Sequence, residues 1–272
     1  MISETSGRID YTETGDGTPI VFVPGSCSTG AAWRPVMAAL GPGHRCVTPS
    51  LLGYGGTEER RPPVDPRIDT EAGIVEAVLR RAGSPALPVH LVGHSFGGLV
   101  SLAVALRGLV PLASLTICEA PAMEILRATG EDAAYGQFRA MTDTYFGRFR
   151  MGEPDSIATM IDFYGGRGTF ASWPPKVRAY AAETTPVNIL DWATAFGFPL
   201  TPAMLAALRV PTLVIYGGDS HQAAQRANAL VAASIPGARA LTIQGAAHFM
   251  IATHAAEVAQ AIRRHLAEAG RA

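Results

Sequence analysis

The chain has 272 residues, 48% of them apolar and 17% charged, and a formal net charge of −1. This length supports one large buried core, and this composition excludes a disordered chain or one that wraps nucleic acid. So small a net charge offers DNA, RNA or an anionic membrane nothing to hold, and the three cysteines, Cys27, Cys46 and Cys118, build neither a disulfide framework nor a metal centre.

The opening stretch "MISETSGRID" lacks a charged leader followed by an apolar block. No apolar run in the chain is long enough for a bilayer. A cytoplasmic globular protein is therefore expected. A hairpin is predicted near residues 7–23, turning at "TGDGTP" and adding an antiparallel edge. From there, short apolar runs without polar alternation read as buried strands. They are "PIVFV" (19–23), "RCVTP" (45–49), "PVHLV" (88–92), "ASLTIC" (113–118), "TLVIY" (212–216) and "ALTI" (240–243). Cys46 and Cys118 fall inside two of them as small buried hydrophobes. Between strands, Ile68, Ala72, Val75 and Leu79 share one helical face, as do Ala255, Ala259, Ile262 and Leu266. Such alternation predicts an α/β protein with a mostly parallel central sheet and helices on both faces.

One stretch interrupts the rhythm. Residues 121–208 carry no strand followed by a crossover helix, only glycine and proline punctuation and many aromatics, among them Tyr164, Trp173 and Trp192. It is too apolar for a linker. A helical lid over a pocket is expected here, dividing the chain into a core of 1–120 with 209–272 and a lid of 121–208. The alternative is a second packing layer with no ligand role.

Within "LVGHSFGGLV" (91–100), Ser95 stands between a buried strand and an apolar helix, flanked by Gly93, Gly97 and Gly98. This is the setting of a nucleophile elbow, where side chains two residues either side of the serine would collide. The helix amino end favours negative charge developing beside the hydroxyl. A serine hydroxyl needs a base, and seven histidines compete. His90 and His94 lie in the strand and elbow, His44 and His265 read as surface residues, and His254 reads as opening the final helix. His248, in the glycine-containing loop "TIQGAAHFM" after the last strand, is at the carboxyl edge where a base would meet Ser95. The turn "GYGGT" (53–57) opens no helix and is not a phosphate loop, and no pattern implies a cofactor.

"VFVPGSCSTGAAWRPVMAAL", "LLGYGGTEE", "LVGHSFGGLVSLAVAL", "PTLVIYGGDS" and "IPGARALTIQGAAHFM" together resemble the successive landmarks of the α/β-hydrolase family. The resemblance covers the chain outside the lid and implies a Ser…Asp/Glu…His order. It implies oxyanion donors at the N–H of Phe96 and, from "PGSC" where members usually carry His-Gly-x, at Ser26, with Cys27 as the alternative; each such donor is worth about 2.7–4 kcal/mol of barrier. The third member is open. The usual Gly-x-x-Asp position after "TLVIY" holds Ser220, with Asp219 one residue early. Some members place the acid after the preceding strand, where Glu119 stands. Glu119 is preferred and Asp219 is the alternative.

The resemblance implies a cofactor-independent serine hydrolase for a small apolar ester or lactone, which the aromatics and methionines of the lid (Met123, Met141, Met151, Met160, Met204) would bury. Fold does not choose the reaction. A carbon–carbon bond hydrolase or lyase on the same residues, or a ligand-binding protein on a hydrolase scaffold, are the alternatives.

Overall fold

The structure, a computed structural model, describes residues 2–4, 7–84 and 87–271, the first three as backbone only. The leader reading of the first ten residues falls partly outside them. Seven strands form the main sheet: β3 (Tyr11–Thr14), β4 (Thr18–Val23), β5 (His44–Pro49), β6 (Val89–His94), β7 (Leu112–Cys118), β8 (Thr212–Gly217) and β9 (Arg239–Ile243). A separate ribbon pairs β1 (Ile2–Glu4) with β2 (Gly7–Ile9). The main sheet runs β3-β5-β4-β6-β7-β8-β9, parallel throughout except for β3. This is the expected α/β architecture, a mostly parallel central sheet with helices on both faces.

The apolar runs are strands buried on both faces. Ile20, Phe22, Val92 and Ile215 point to one side and pack against Val36 and Leu40 of α1 (Arg34–Leu40) and Val258 and Ile262 of α13 (Ala255–Ala269). Val21, Val23, Leu91 and Ile117 point to the other, against α2 (Ile68–Ala82), α3 (Phe96–Arg107) and α11 (Gln222–Ser234). This alternation by twos is the pleat of a strand between two helical layers. Cys46 and Cys118 fill the first core. Ile68, Ala72, Val75 and Leu79 are all buried along α2. Among the described residues no helix is long and apolar enough to cross a membrane.

The antiparallel edge is present, but the expected hairpin is not. β3 pairs with β5, Tyr11 opposite Pro49 and Thr14 opposite Cys46, while β4 lies beyond β5. Both edges of β4 are occupied by parallel partners, β5 and β6, which leaves no room for β3. The turn glycines serve a crossing instead. A Cβ at Gly15 or Gly17 would stand 2.4 Å from the carbonyl oxygen of His44 or Gly43, where the chain passes over the start of β5. A second correction concerns His265, expected at the surface. It is buried, and its Nε2–H donates to the carbonyls of Leu115 and Pro211, each at 3.2 Å.

Between β7 and β8 the chain is helical: α4 (Met123–Ala128), α5 (Asp132–Arg150), α6 (Ala158–Gly165), α7 (Thr169–Ser172), α8 (Pro175–Glu183), α9 (Thr185–Phe196) and α10 (Pro202–Leu205). The departure point is pinned from α11. The fully buried Asn228 accepts from the Ala120 N–H at 2.9 Å and donates to the carbonyls of Ala120 and Ala224 at 3.0 and 2.9 Å. Asn228→Ala leaves the Ala120 N–H without a partner, while the Ala120 carbonyl keeps the Ala122 N–H at 2.8 Å; stability falls by about 1–3 kcal/mol, read as a fall in the denaturant midpoint.

Candidate active site

The strands end level. Val23 is opposite Gly93, His94 opposite Cys118, Cys118 opposite Ile215, and Gly217 opposite Ile243. The loops that follow β4, β6, β7, β8 and β9 therefore leave from one edge. The strand order reverses between β4 and β6, which is where open parallel sheets form a crevice.

Ser95 occupies the turn from β6 into α3 with φ +53° and ψ −129°, a left-handed conformation costly for a side-chain-bearing residue. Its N–H donates to the Cys118 carbonyl at 2.9 Å, and its own carbonyl accepts from Gly98 and Leu99 at 2.8 and 3.2 Å. The flanking glycines are required by contact. A Cβ at Gly93 would meet the Gly97 oxygen at 2.4 Å, one at Gly97 the Pro24 oxygen at 2.2 Å, and one at Gly25 the Ser95 Cβ at 2.8 Å. A Cβ at Gly98 would stand 3.2 Å from the Gly93 oxygen and 3.3 Å from Ile117 Cγ2, tight helix-on-sheet packing.

The structure brings three of the predicted residues into one chain of hydrogen bonds. His248 Nε2 is 2.9 Å from Ser95 Oγ, and His248 Nδ1 is 2.9 Å from Glu119 Oε1. Glu119 is fully buried at the end of β7, with φ +46° and its N–H on the Ile215 carbonyl at 2.8 Å. Its Oε2 accepts from the Gly217 N–H at 3.0 Å and from Ser220 Oγ at 2.6 Å. Burial alone would raise this carboxyl; the His248, Gly217 and Ser220 donors together outweigh it and hold it below the usual range. Asp219 is left exposed, its N–H on the Ala246 carbonyl. The serine at the family's usual acid position thus donates to the carboxylate on the neighbouring strand.

Two aromatic rings hold the imidazole. Tyr164 stacks on His248 at 4.0 Å between centroids, and Phe249 meets it edge-on at 5.2 Å. The buried His94 donates from Nε2–H to the His248 carbonyl at 2.9 Å. Burial, then the nearby His248, pushes His94 down to about 3, so it is a neutral spacer. Burial likewise lowers His90 to about 4, and its Nδ1 contacts Ser114 Oγ at 2.7 Å.

Phe96 opens α3, so its N–H has no intrahelical partner. Ser26 lies in the turn after β4, beside the same cavity. Burial pushes the thiol of the neighbouring Cys27 up to about 12, leaving it inert.

A buried polar cluster that the sequence reading missed sits behind Ser26. Asp191 Oδ2, on α9, accepts from Ser26 Oγ at 2.5 Å and from the Tyr54 hydroxyl at 2.6 Å, while Oδ1 accepts from Arg61 Nη1 at 2.6 Å. Glu71 is 3.2 Å from the same Nη1, and burial pushes it up to about 8. Arg61 keeps its charge: burial opposes it, and Asp191, Glu59 and Glu71 outweigh burial. An arginine in "EERRPP" and an aspartate in an apolar helix carry no local sign that they will meet.

Above Ser95 is a cavity of about 550 Å³. Among the described residues its lining holds no Asp, Glu, Lys or Arg. Tyr164, Trp173 and Trp192 supply aromatic walls, and Met160 also reaches it. The other methionines do not line it: Met123 is buried in the core and Met151 is 71% exposed.

Residues 20–261 match the sequence profile of the alpha/beta hydrolase family. The 2-hydroxymuconate semialdehyde hydrolase of Pseudomonas sp. (strain CF600) is 26% identical over 96% of this chain and 91% of its own length. A thermophilic esterase from Thermogutta terrifontis shares the fold with a TM-score of 0.74 at 23% identity, over 96% of this chain and 93% of that one. The enol-lactonase from Burkholderia xenovorans LB400 does so with a TM-score of 0.73 at 18% identity, over 95% and 96%.

Removing one member of a buried polar cluster leaves the others short of a partner. Asp191→Ala leaves Arg61 with Glu59 and Glu71 alone and the Ser26 and Tyr54 hydroxyls without their acceptor, and costs at least about 1.5–3 kcal/mol of stability, whereas the exposed Asp219→Ala stays within about 0.5 kcal/mol. Chemical denaturation of the two variants side by side reads the difference.

Proposed function

The chain belongs to the alpha/beta hydrolase family, and within it we propose a cofactor-independent serine hydrolase that cleaves a carboxylic ester or lactone with an apolar moiety. Ser95 Oγ attacks the carbonyl carbon while His248 Nε2 takes its proton. Glu119 holds the Nδ1–H of His248 and stabilises the imidazolium. The N–H groups of Ser26 and Phe96 take the charge on the carbonyl oxygen. His248 then returns the proton to the departing alkoxide, which leaves as the alcohol, and the acyl group stays on Ser95. Water deprotonated by His248 attacks that ester, and collapse of the adduct releases the acid and restores the serine. The helical segment 121–208 acts as the lid that keeps bulk water from this chemistry.

The observation that carries this reading is the pair of 2.9 Å contacts joining Ser95, His248 and Glu119 at the floor of an uncharged cavity. Apolar lining favours an apolar substrate at about 25 cal/mol per Å² removed from water. Two structurally similar proteins are by name an esterase and an enol-lactonase, which supports this reading.

Cleavage of a carbon–carbon bond on the same residues is the second reading. It is favoured by the likeness to a hydrolase of 2-hydroxymuconate semialdehyde. That compound is a carboxylate, and the lining here offers no cationic side chain to meet one. The ester or lactone therefore ranks first.

The purified protein is expected to hydrolyse members of a broad ester and lactone panel and to label with a serine-directed phosphonate. Ser95→Ala abolishes both. Glu119→Gln lowers kcat by about 10⁴-fold, the scale seen when a triad acid is made neutral, and Asp219→Asn changes it less than about twofold. Turnover retained by Glu119→Gln and lost in Asp219→Asn would reverse the assignment of the acid. No turnover across the panel, with a β-diketone cleaved instead, would establish the carbon–carbon reading.

A further inference from the structure

The imidazole of His248 has one large neighbour that the proton transfers do not use. The Tyr164 ring, on α6, lies 4.0 Å from it between centroids at an interplanar angle of 29°, face against face. Both imidazole nitrogens are engaged within the ring plane, Nε2 by Ser95 and Nδ1 by Glu119, each at 2.9 Å. Stabilisation out of that plane therefore comes from whatever covers the faces, and Tyr164 covers one of them. Trp192, on α9, stacks in turn on Tyr164 at 6.3 Å and 26°, so two helices of the segment between β7 and β8 keep the ring in place.

An aromatic face carries the negative part of the ring quadrupole and attracts a cation within about 6 Å, most strongly where water is excluded. His248 is 2% exposed, so an imidazolium formed there loses nearly all of its hydration. Glu119, at the end of β7, supplies the opposite charge. Nothing else charged compensates from nearby. His94, from β6, has its ring 4.9 Å away but is neutral, and among the described residues the cavity lining holds no charged side chain. Phe249 stands at 85° to the imidazole instead of stacking on it. The Tyr164 phenol is itself neutral, because burial, then Glu119, push it well above its ordinary range. A spacer would need only bulk at this position; a π face adds an electrostatic term that grows when the imidazole becomes charged.

We propose that Tyr164 is a positioning and charge-stabilising residue that acts through His248, its ring face favouring the imidazolium formed as Ser95 gives up its proton over the neutral imidazole that precedes it. This rests on the reading of Ser95 and His248 as nucleophile and base. An interaction stronger after proton transfer than before it lowers the barrier, whereas one equal in both states only holds the ring still. The same face serves both halves of the reaction, since His248 becomes charged again when it deprotonates water. Because α6 lies between β7 and β8, the helical segment supplies part of the base and is more than a cover. The role belongs to the ring; the hydroxyl has no hydrogen-bond partner among the described residues.

The test is a fluorine series at position 164 of the full chain. Tyr164→Phe is the reference, and the same substitution is then made with phenylalanine bearing one, two and three ring fluorines, which weaken the negative face stepwise at nearly constant shape. Hydrolysis of the fastest ester of the panel is measured against pH for each protein. With each fluorine kcat/KM is expected to fall, by about twofold or more at the third. The acid limb of its pH profile, which reports the essential base of the free enzyme, is expected to move toward lower pH by about half a unit or more. The sign follows from the charge: a less stabilised imidazolium gives up its proton more readily. A smaller fall, or an acid limb that stays in place, overturns the proposal, because packing alone would slow the reaction without moving the limb. Nitrogen NMR titration of the His248 ring, which needs no turnover, is run on the reference and the trifluorinated protein. A midpoint that moves with fluorination while the wild-type protein cleaves no ester rejects the hydrolase reading and keeps the role of the ring. Ester cleavage with an unmoved midpoint does the reverse.

Discussion

The contact on which the rest of the structure depends is between backbones, where the chain leaving β4 passes the first turn of α3. A methyl group at Gly97 would stand 2.2 Å from the Pro24 oxygen and 2.6 Å from that of Val23. With no side chain there, α3 seats its amino end against the reversal point of the sheet. Ser95 is then held in a left-handed conformation beside the turn that contains Ser26. Strain at the serine is balanced by its N–H on the Cys118 carbonyl and its own carbonyl on Gly98 and Leu99. Preorganisation of the proposed nucleophile is a consequence of this packing.

The charged parts of the site are arranged around that fixed point. The carboxylate that meets the imidazole comes from the end of β7, and the loop after β8, where the acid would more usually stand, supplies the Ser220 hydroxyl that donates to it. The β7–β8 register lets either loop reach His248, because Cys118 and Ile215 are level and the next residues of both strands emerge together. A carboxylate at 119 gains the Gly217 N–H and the Ser220 hydroxyl as fixed donors and keeps its other oxygen for the imidazole. On the opposite side of the cavity, Asp191 joins α9 to the Ser26 turn and shares Arg61 with Glu71. The helices between β7 and β8 are thus bonded to the turn that the proposed oxyanion donor occupies, and binding against one bears on the geometry of the other.

A cavity whose lining, among the described residues, holds no charged side chain and five aromatic ones, Phe96, Tyr164, Trp173, Trp192 and Phe249, selects by shape and apolar contact. Carboxylate recognition needs a cation or an array of donors; this lining suits a neutral carbonyl compound. The same low polarity strengthens each hydrogen bond inside it and raises the cost of each one left unmade.

Much of this was legible without coordinates because the signals are local. Apolar runs without alternation mark strands covered on both faces, and the glycines around Ser95 mark a steric need of neighbouring residues. His248 was found by position alone, since a loop after the last strand of such a sheet opens at its carboxyl edge. The order of the strands was not local: β3 was expected beside β4 and lies beside β5, because edge occupancy depends on where every other strand goes. His265 looked like a surface residue for a similar reason, as its partners are carbonyls of Leu115 and Pro211, far away in the chain. The Asp191 cluster left no trace at all, since burial of a polar side chain is decided by what packs over it, and Tyr164 was legible only as one of the aromatics expected over a pocket. The sequence by itself determined the parallel α/β sheet, the strained elbow and the candidates gathered at its edge, each encoded within a few consecutive residues. Only the tertiary structure decided that Glu119 rather than Asp219 touches the imidazole and that Asp191 gathers Ser26, Tyr54 and Arg61, because those outcomes depend on distances between segments about a hundred residues apart or more, such as Glu119 and Ser220.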